Sequence, residues 1–210
     1  MASIAAGAIL AGGASSRFGS PKCVASLDDL PLIRRVAATL TASVTDAVVI
    51  TDDPALARLA DLPHLPDDQP GHGPLGGLAT ALGWSHERGH DGVLIVGCDM
   101  PFISTHLLNL ILDAAAGGVH DVVVPLSGAD DRIEPMCAWY SARVLPIVER
   151  RSKAGQRSLI GLIDESGAHR IPLDAVSMAG DPERLFLNIN TPADLRRAEQ
   201  IMANSRGHAR

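Results

Sequence analysis

Leu10-Ala11-Gly12-Gly13-Ala14-Ser15-Ser16-Arg17-Phe18-Gly19-Ser20-Pro21-Lys22 follows directly on an apolar run over residues 3–10. The run suits a central parallel strand covered on both faces, and the stretch after it suits a loop that holds phosphate. Gly12 and Gly13 have no Cβ, so the backbone can take positive φ and turn successive N–H groups toward one anion. Arg17 can grip phosphate oxygens as a bidentate fork, whereas Lys22 is a compact charge able to follow a leaving group. Two other glycine loops are excluded by spacing. A Walker loop needs Gly-x-x-x-x-Gly-Lys-Ser/Thr, but Gly19 is followed by Ser20, Pro21 and Lys22. A dinucleotide fingerprint needs Gly-x-Gly-x-x-Gly opening a helix, and here the first glycines are adjacent and Pro21 interrupts.

Working outward, residues 31–42 place Leu32, Ile33, Val36 and Leu40 at helical spacing with Arg34 and Arg35 outside. Ala47-Val48-Val49-Ile50 reads as a second buried strand, ending at Thr51-Asp52-Asp53-Pro54, where an aspartate can cap the short helix 55–60. A second glycine loop, Asp67-Asp68-Gln69-Pro70-Gly71-His72-Gly73-Pro74-Leu75-Gly76-Gly77, then opens into a helix reaching about His86. A helix start presents unpaired N–H groups and partial positive charge, and the glycines let backbone approach a planar ligand. His72 is the histidine to watch, because it lies inside this loop. Residues 92–97 form the plainest strand, and Asp99 stands just past its carboxyl end. In open α/β sheets that edge binds ligands, and a carboxylate there is placed to hold Mg²⁺ against phosphate oxygens. Ser104 reads as the N-cap of the next helix.

After a strand over 121–125 the βα alternation breaks, with a polar loop and then Glu134-Pro135-Met136-Cys137-Ala138-Trp139-Tyr140. Residues 141–165 read as two helices around a basic cluster, Arg150, Arg151, Lys153 and Arg157, which is either a solvated face or a means of steering a phosphorylated acceptor. Near the end a short strand is expected to deliver Asn188 and Asn190 to one side. Thr191, Pro192 and Asp194 supply the cap of a last helix. Residues 205–210 read as a frayed tail beyond a single domain over 1–204.

Composition narrows the function. With 210 residues, 46% apolar and 20% charged, the chain can bury one substantial core. A net charge of −6 argues against a general nucleic-acid surface. No run approaches the roughly 20 apolar residues that span a bilayer, and the N-terminus lacks the basic start of an export signal. A cytoplasmic protein without a membrane partner is expected. Cys23, Cys98 and Cys137 are too scattered for a disulfide framework and are expected to be reduced. The eight histidines show no paired zinc spacing.

The loop over residues 10–22 resembles the signature of nucleotidyltransferases of nucleotide-diphospho-sugar-transferase type, in particular the molybdenum cofactor guanylyltransferase family. Related cytidylyltransferases usually begin Leu-Ala-Ala-Gly, where this chain has Gly12. The resemblance extends to Gly73-Pro74-Leu75-Gly76-Gly77 with Asp67 before it, to Cys98-Asp99-Met100-Pro101, and to Asn188-Ile189-Asn190-Thr191-Pro192. It implies a three-layer, doubly wound, mostly parallel α/β fold. It also implies GTP and molybdopterin as partners and Mg²⁺ (or Mn²⁺) as cofactor, and it leaves open transient contacts with proteins that supply or receive the molybdenum cofactor. Lys22, Arg17 and Asp99 would be catalytic, with Asp99 holding the metal. Leu10, Ala11, Gly12, Gly13, Lys22, Thr51, Asp67, Gly73, Pro74, Leu75, Gly76 and Asp99 would bind nucleotide, and Glu134, Asn188 and Asn190 the acceptor. Two rivals stay open: cytidylyl transfer to molybdopterin or another small phosphorylated acceptor, and a non-catalytic nucleotide-binding module.

Overall fold

The computed structural model describes residues 5–12, 22–69 and 71–207, with backbone alone at 22, 206 and 207. In chain order the strands are β1 (Ala6–Leu10), β2 (Ser26–Leu27), β3 (Leu30–Pro31), β4 (Asp46–Ile50), β5 (His64–Leu65), β6 (Gly92–Gly97), β7 (Val122–Pro125), β8 (Cys137–Ser141) and β9 (His169–Ile171). The helices are α1 (Leu32–Thr41), α2 (Pro54–Ala60), α3 (Pro74–Glu87), α4 (Thr105–Ala115), α5 (Leu145–Lys153), α6 (Leu159–Ser166), α7 (Leu173–Ala179), α8 (Pro182–Leu185) and α9 (Pro192–Gly207).

Seven strands form one sheet in the order β5-β4-β1-β6-β8-β7-β9. Only β8 runs against its neighbours; every other pairing in the sheet is parallel. Alternation along the central strands divides the core in two. Ile9, Val49, Leu94, Val96 and Val123 meet α1, α2, α4 and α7 on one face. Ala8, Val48, Ile50, Val93, Ile95, Val122 and Val124 meet α3, α5 and α6 on the other. Every residue of β1 and β6 is buried, so each large apolar side chain there contributes about 1.5–3 kcal/mol. The layers are helix, sheet, helix, as the alternating pattern predicts.

The placement of the site follows from connectivity. From β1 the chain passes through α1 and α2 to β4 and β5, moving one way across the sheet. It then crosses by α3, on the opposite face, to β6 on the other side of β1. The reversal leaves a crevice above the carboxyl ends of β4, β1 and β6, the place where such sheets bind ligands.

Several expectations are revised. The broken alternation near Glu134 is an antiparallel strand, β8, inserted between β6 and β7. Residues 187–190 form no strand; they connect α8 to α9 without regular structure. The last helix continues through Gly207, where a tail was expected from residue 205, and Arg184 donates to the Ser205 hydroxyl at 3.1 Å. Cys23 and Cys98, expected to be reduced, are joined by a disulfide across 75 residues of sequence. The fold brings them together although nothing in their spacing suggests it. Cys137 is free and fully buried. No helix among the described residues is long and apolar enough to cross a membrane.

Candidate active site

The crevice is a cleft of about 550 Å³ lined by Leu10, Gly12, Ile50, Thr51, Asp52, Asp67, Gly71, Gly73, Pro74, Gly77, Met136 and Arg157. Its floor is the exit of β1. The Ala11 N–H donates to the Ile50 carbonyl at 3.0 Å, and the Leu10 carbonyl accepts from the Cys98 N–H at 3.4 Å, so the loop leaves the sheet pinned on both sides. Gly12 does not have positive φ, contrary to the expectation. Its glycine character has another use: a Cβ there would meet nothing within 4 Å among the described residues, and Gly12 lines the cleft. Gly13 and Arg17 lie outside the described residues. Lys22 opens a three-residue 3-10 turn, Lys22–Val24.

One wall is the second glycine loop. Asp67 donates its N–H to the Asp52 carboxylate at 3.1 Å and accepts from the Gln69 N–H at 2.9 Å. The Ser152 hydroxyl on α5 donates to the Gln69 side-chain oxygen. His72 folds back onto the Gln69 carbonyl, with its N–H at 3.1 Å and ring Nδ1 at 3.2 Å. It shapes the loop. Gly71 (φ +86°) and Gly73 (φ +61°) occupy the left-handed region that side chains disfavour. Gly73 then caps α3 with Pro74 in its first turn.

Helical geometry sorts the next residues. Leu75 is fully buried in the core beneath the sheet face, so its side chain does not face the cleft. Gly76 packs inward, because a Cβ would stand 2.8 Å from the Gln69 carbonyl and 3.2 Å from Asp67 Oδ1. Gly77, the last glycine of the loop, lines the cleft. On the β4 side Thr51 is buried, donates its N–H to the Leu65 carbonyl at 2.9 Å, and accepts from the Asp53 N–H at 3.1 Å.

The second half of the site forms around Asp99. A Cβ on Gly97 would fall 2.7 Å from Asp99 Oδ1, so the carboxylate occupies space that only glycine leaves free. The Asp99 carbonyl accepts from the Ile189 N–H at 2.9 Å, which brings Asn188-Ile189-Asn190 to the end of β6. Asn188 is half-buried and Asn190 exposed, flanking the fully buried Ile189. Glu134 joins them. Burial pushes its carboxyl above the usual carboxylate range and the Asp99 charge acts in the same sense, against hydrogen bonds from the Met136 N–H and Asn188. Its loop is fixed by the Tyr140 hydroxyl, which donates to the Pro135 carbonyl at 2.8 Å. Asp99, Glu134 and Asn188 are therefore neighbours, and Met136 connects this corner to the cleft.

The basic cluster divides. Arg150 and Arg151 both pair with Glu165, the latter at 3.2 Å, and Lys153 lies 3.9 Å from Glu149. The two arginine pairs tie α5 to α6, and the lysine pair lies along α5. Arg157 alone reaches the cleft, with its Cβ 3.6 Å from where a Gly73 side chain would begin. Sequence reasoning found it only as part of a charge run.

A metal is tested by these donors. No group of three His, Cys, Asp or Glu residues able to hold an ion occurs among the described residues. A hard cation such as Mg²⁺, held by one or two carboxylate oxygens plus ligand phosphates and water, does not require such a group. Asp99, half-buried at a strand end, fits that part.

Comparison with known proteins follows the same lines. Residues 7–170 match the family model of the MobA-like NTP transferase domain. The chain is 35% identical over 198 residues to a probable molybdenum cofactor guanylyltransferase of Methanothermobacter thermautotrophicus, covering 90% of this chain and 96% of the relative. It is 31% identical over 203 residues to one so named from Pelotomaculum thermopropionicum, covering 96% and 95%. The crystal structure of molybdopterin-guanine dinucleotide biosynthesis protein A from Archaeoglobus fulgidus superimposes with a TM-score of 0.80 at 25% identity, over 95% of this chain and 99% of that one. A 4-diphosphocytidyl-2C-methyl-D-erythritol synthase from Anaerococcus prevotii shares the fold, with a TM-score of 0.71 at 12% identity over 95% and 96%. The chain is a nucleotidyltransferase and belongs to the MobA-like NTP transferase family.

Proposed function

We propose that this chain transfers GMP from GTP to the terminal phosphate of molybdopterin, forming the guanine dinucleotide and releasing pyrophosphate. The observation that carries the reading is the Ile189–Asp99 hydrogen bond. It brings the asparagine segment to Asp99, next to Glu134, and Met136, whose N–H donates to the Glu134 carboxylate, lines the cleft built from Gly12, Thr51, Asp67 and the Gly71–Gly77 turn. Nucleotide and acceptor would thus meet above β6.

Chemistry at that meeting point needs little from the protein beyond alignment and charge. A phosphomonoester has its second pKa near 6, so the attacking phosphate oxygen is already ionised and no general base is required. That oxygen bonds to the α-phosphorus while the bond from the α-phosphorus to the α–β bridging oxygen breaks, and both electrons leave with pyrophosphate. Backbone N–H groups of the β1 exit hold the triphosphate. Arg17 and Lys22 neutralise the departing pyrophosphate. Asp99 would hold Mg²⁺, with Mn²⁺ as a substitute; the ion supplies charge neutralisation of phosphate oxygens. Arg157 adds positive charge at the cleft wall. Asn188 and Asn190 offer amide groups to the pterin, and Glu134 supports Asn188.

Guanine is favoured because Gly12 and Gly77 line the cleft without side chains and leave the wall broad enough for a purine. Titration calorimetry with Mg²⁺ present should show tighter binding of GTP than of CTP. Tighter CTP binding would move the assignment to cytidylyl transfer within the same fold.

A further inference from the structure

The Cys23–Cys98 disulfide is used by no step above, yet it joins the immediate neighbours of two residues that are. Cys23 follows Lys22 in the 3-10 turn, and Cys98 precedes Asp99 at the end of β6. Their Cα atoms are 5.7 Å apart, within the ordinary span of a disulfide. Since adjacent Cα atoms lie 3.8 Å apart, the pair holds the Lys22 and Asp99 backbones within about 13 Å of each other. One end is fixed already, because the Cys98 N–H donates to the Leu10 carbonyl and the Asp99 carbonyl accepts from Ile189. The other end belongs to the turn that delivers Lys22. The bond therefore sets where that turn stands relative to the Asp99 carboxylate.

We propose that Cys23 and Cys98 are a reversible thiol–disulfide modification site that couples the redox state of the chain to its affinity for nucleotide, the oxidised form binding more tightly. The coupling rests on the nucleotide-transfer reading; the modification itself does not. A structural staple alone does not account for the bond: small domains that cannot build a core depend on one, whereas this chain buries a large apolar cluster on each face of its sheet. Selectivity is also built in. Cys137 is fully enclosed, and burial with the nearby Glu134 charge keeps its thiol protonated, so it takes no part. Cys23 and Cys98, 5% and 3% exposed, lie in the cluster containing Ala11 and Met100, directly under the site.

The oxidant is a low-molecular-weight disulfide. One cysteine thiolate attacks a sulfur of that reagent, forming a mixed disulfide and releasing one small thiolate. The second cysteine thiolate attacks the protein-bound sulfur, closes the 23–98 bond and releases the other. The two cysteine thiols lose two protons and two electrons, and the small disulfide is reduced to two thiols. Because both sulfurs are nearly enclosed, exchange runs at the pace of local opening of the 3-10 turn. Closing the bond orders that turn before nucleotide arrives, so less conformational freedom is lost on binding. Immobilising one or two side chains' worth of freedom corresponds to roughly fivefold in affinity.

The test uses the full chain equilibrated in glutathione buffers of graded oxidised-to-reduced ratio. Three readouts are taken: alkylated mass for the thiol count, thermal melting, and titration with GTP and Mg²⁺. The expected result is loss of two thiols together, mapped to Cys23 and Cys98, with a melting temperature roughly 10 °C higher in the oxidised form from closing so long a loop. GTP should bind about fivefold more tightly to that form. Cys23→Ser and Cys98→Ser should each match the reduced wild type and ignore the buffer. Three reduced thiols at every ratio, or a stable glutathione adduct on one cysteine, would overturn the site. A redox-dependent melting temperature with identical GTP affinity in both forms would overturn the coupling and leave a staple. If neither form bound any nucleotide, the coupling and the transfer reading would fall together, while the thiol count would still decide whether the bond forms.

Discussion

Replacing Gly97 with alanine tests the geometry of the site with one methyl group. The added Cβ would stand 2.7 Å from Asp99 Oδ1 and 3.4 Å from Met100 Sδ. To restore an ordinary contact near 3.4 Å the carboxylate oxygen must retreat by about 0.7 Å. Gly97 is not at positive φ, and its N–H already donates to the Met136 carbonyl at 2.8 Å, so alanine suits the backbone. Alanine also gains about 0.4–1 kcal/mol by restricting the unfolded chain, which offsets part of the crowding. The melting temperature should move by no more than roughly 3 °C. Activity should move much more, because displacing a reacting or aligning group by about 1 Å can cost a hundredfold. We expect kcat/KM to fall tenfold to a hundredfold, about 1.4–2.7 kcal/mol of transition-state stabilisation. The Mg²⁺ concentration for half-maximal activity should rise. Steady-state pyrophosphate release across a Mg²⁺ titration measures both. Unchanged kcat/KM and Mg²⁺ dependence would refute the claim that the glycine exists to seat the carboxylate.

Asp99→Asn keeps the shape and removes the charge, so turnover should fall on the order of a hundredfold or more, roughly 3 kcal/mol. Melting should be preserved; wild-type rates with unchanged metal dependence would return Asp99 to the role of a turn residue. Lys22→Ala should lower turnover far more than melting temperature, and the opposite pattern would make Lys22 structural. Asp194 gives a pH test. Slight burial raises its carboxyl pKa, but hydrogen bonds from Thr191 and the Asn190 N–H, with the Arg197 charge, outweigh that and hold it below its usual value. A depressed folded pKa stabilises the fold above the unfolded value near pH 4 and loses that contribution as pH falls through the folded one. Asp194→Asn should therefore lower the melting temperature at pH 7 and flatten its decline below pH 4; a parallel decline in both proteins would contradict the cap.

What could be read in the sequence was what one stretch of chain dictates by itself. The uninterrupted apolar run ending at Gly97 announced a central strand, and Asp99 stands just past its carboxyl end as the sequence places it. Thr191 and Asp194 announced a cap that the structure forms with hydrogen bonds of 2.8–3.2 Å. Less legible was anything decided by a partner far along the chain. Leu75 sits in a glycine-rich run that resembles a contact motif, but helical geometry turns it into the core and leaves Gly77 at the cleft. Arg157 looked like one of four similar charges until Glu165 and Glu149 engaged the other three. Asn188 and Asn190 were read on a strand, yet Ile189 finds its partner in the Asp99 carbonyl and pairs with no strand. The reversal of β8 and the meeting of Cys23 with Cys98 depend on the closed sheet, and local patterning carries no signal for either.

The most direct measurement is the reaction itself: the chain with Mg²⁺, molybdopterin and, in separate reactions, GTP, CTP, ATP or UTP, following pyrophosphate and identifying the product by mass. GTP alone should be used efficiently, giving the guanine dinucleotide and one pyrophosphate per product, with no release when molybdopterin is omitted. Preferred use of CTP, or pyrophosphate release that is indifferent to the acceptor, would contradict it.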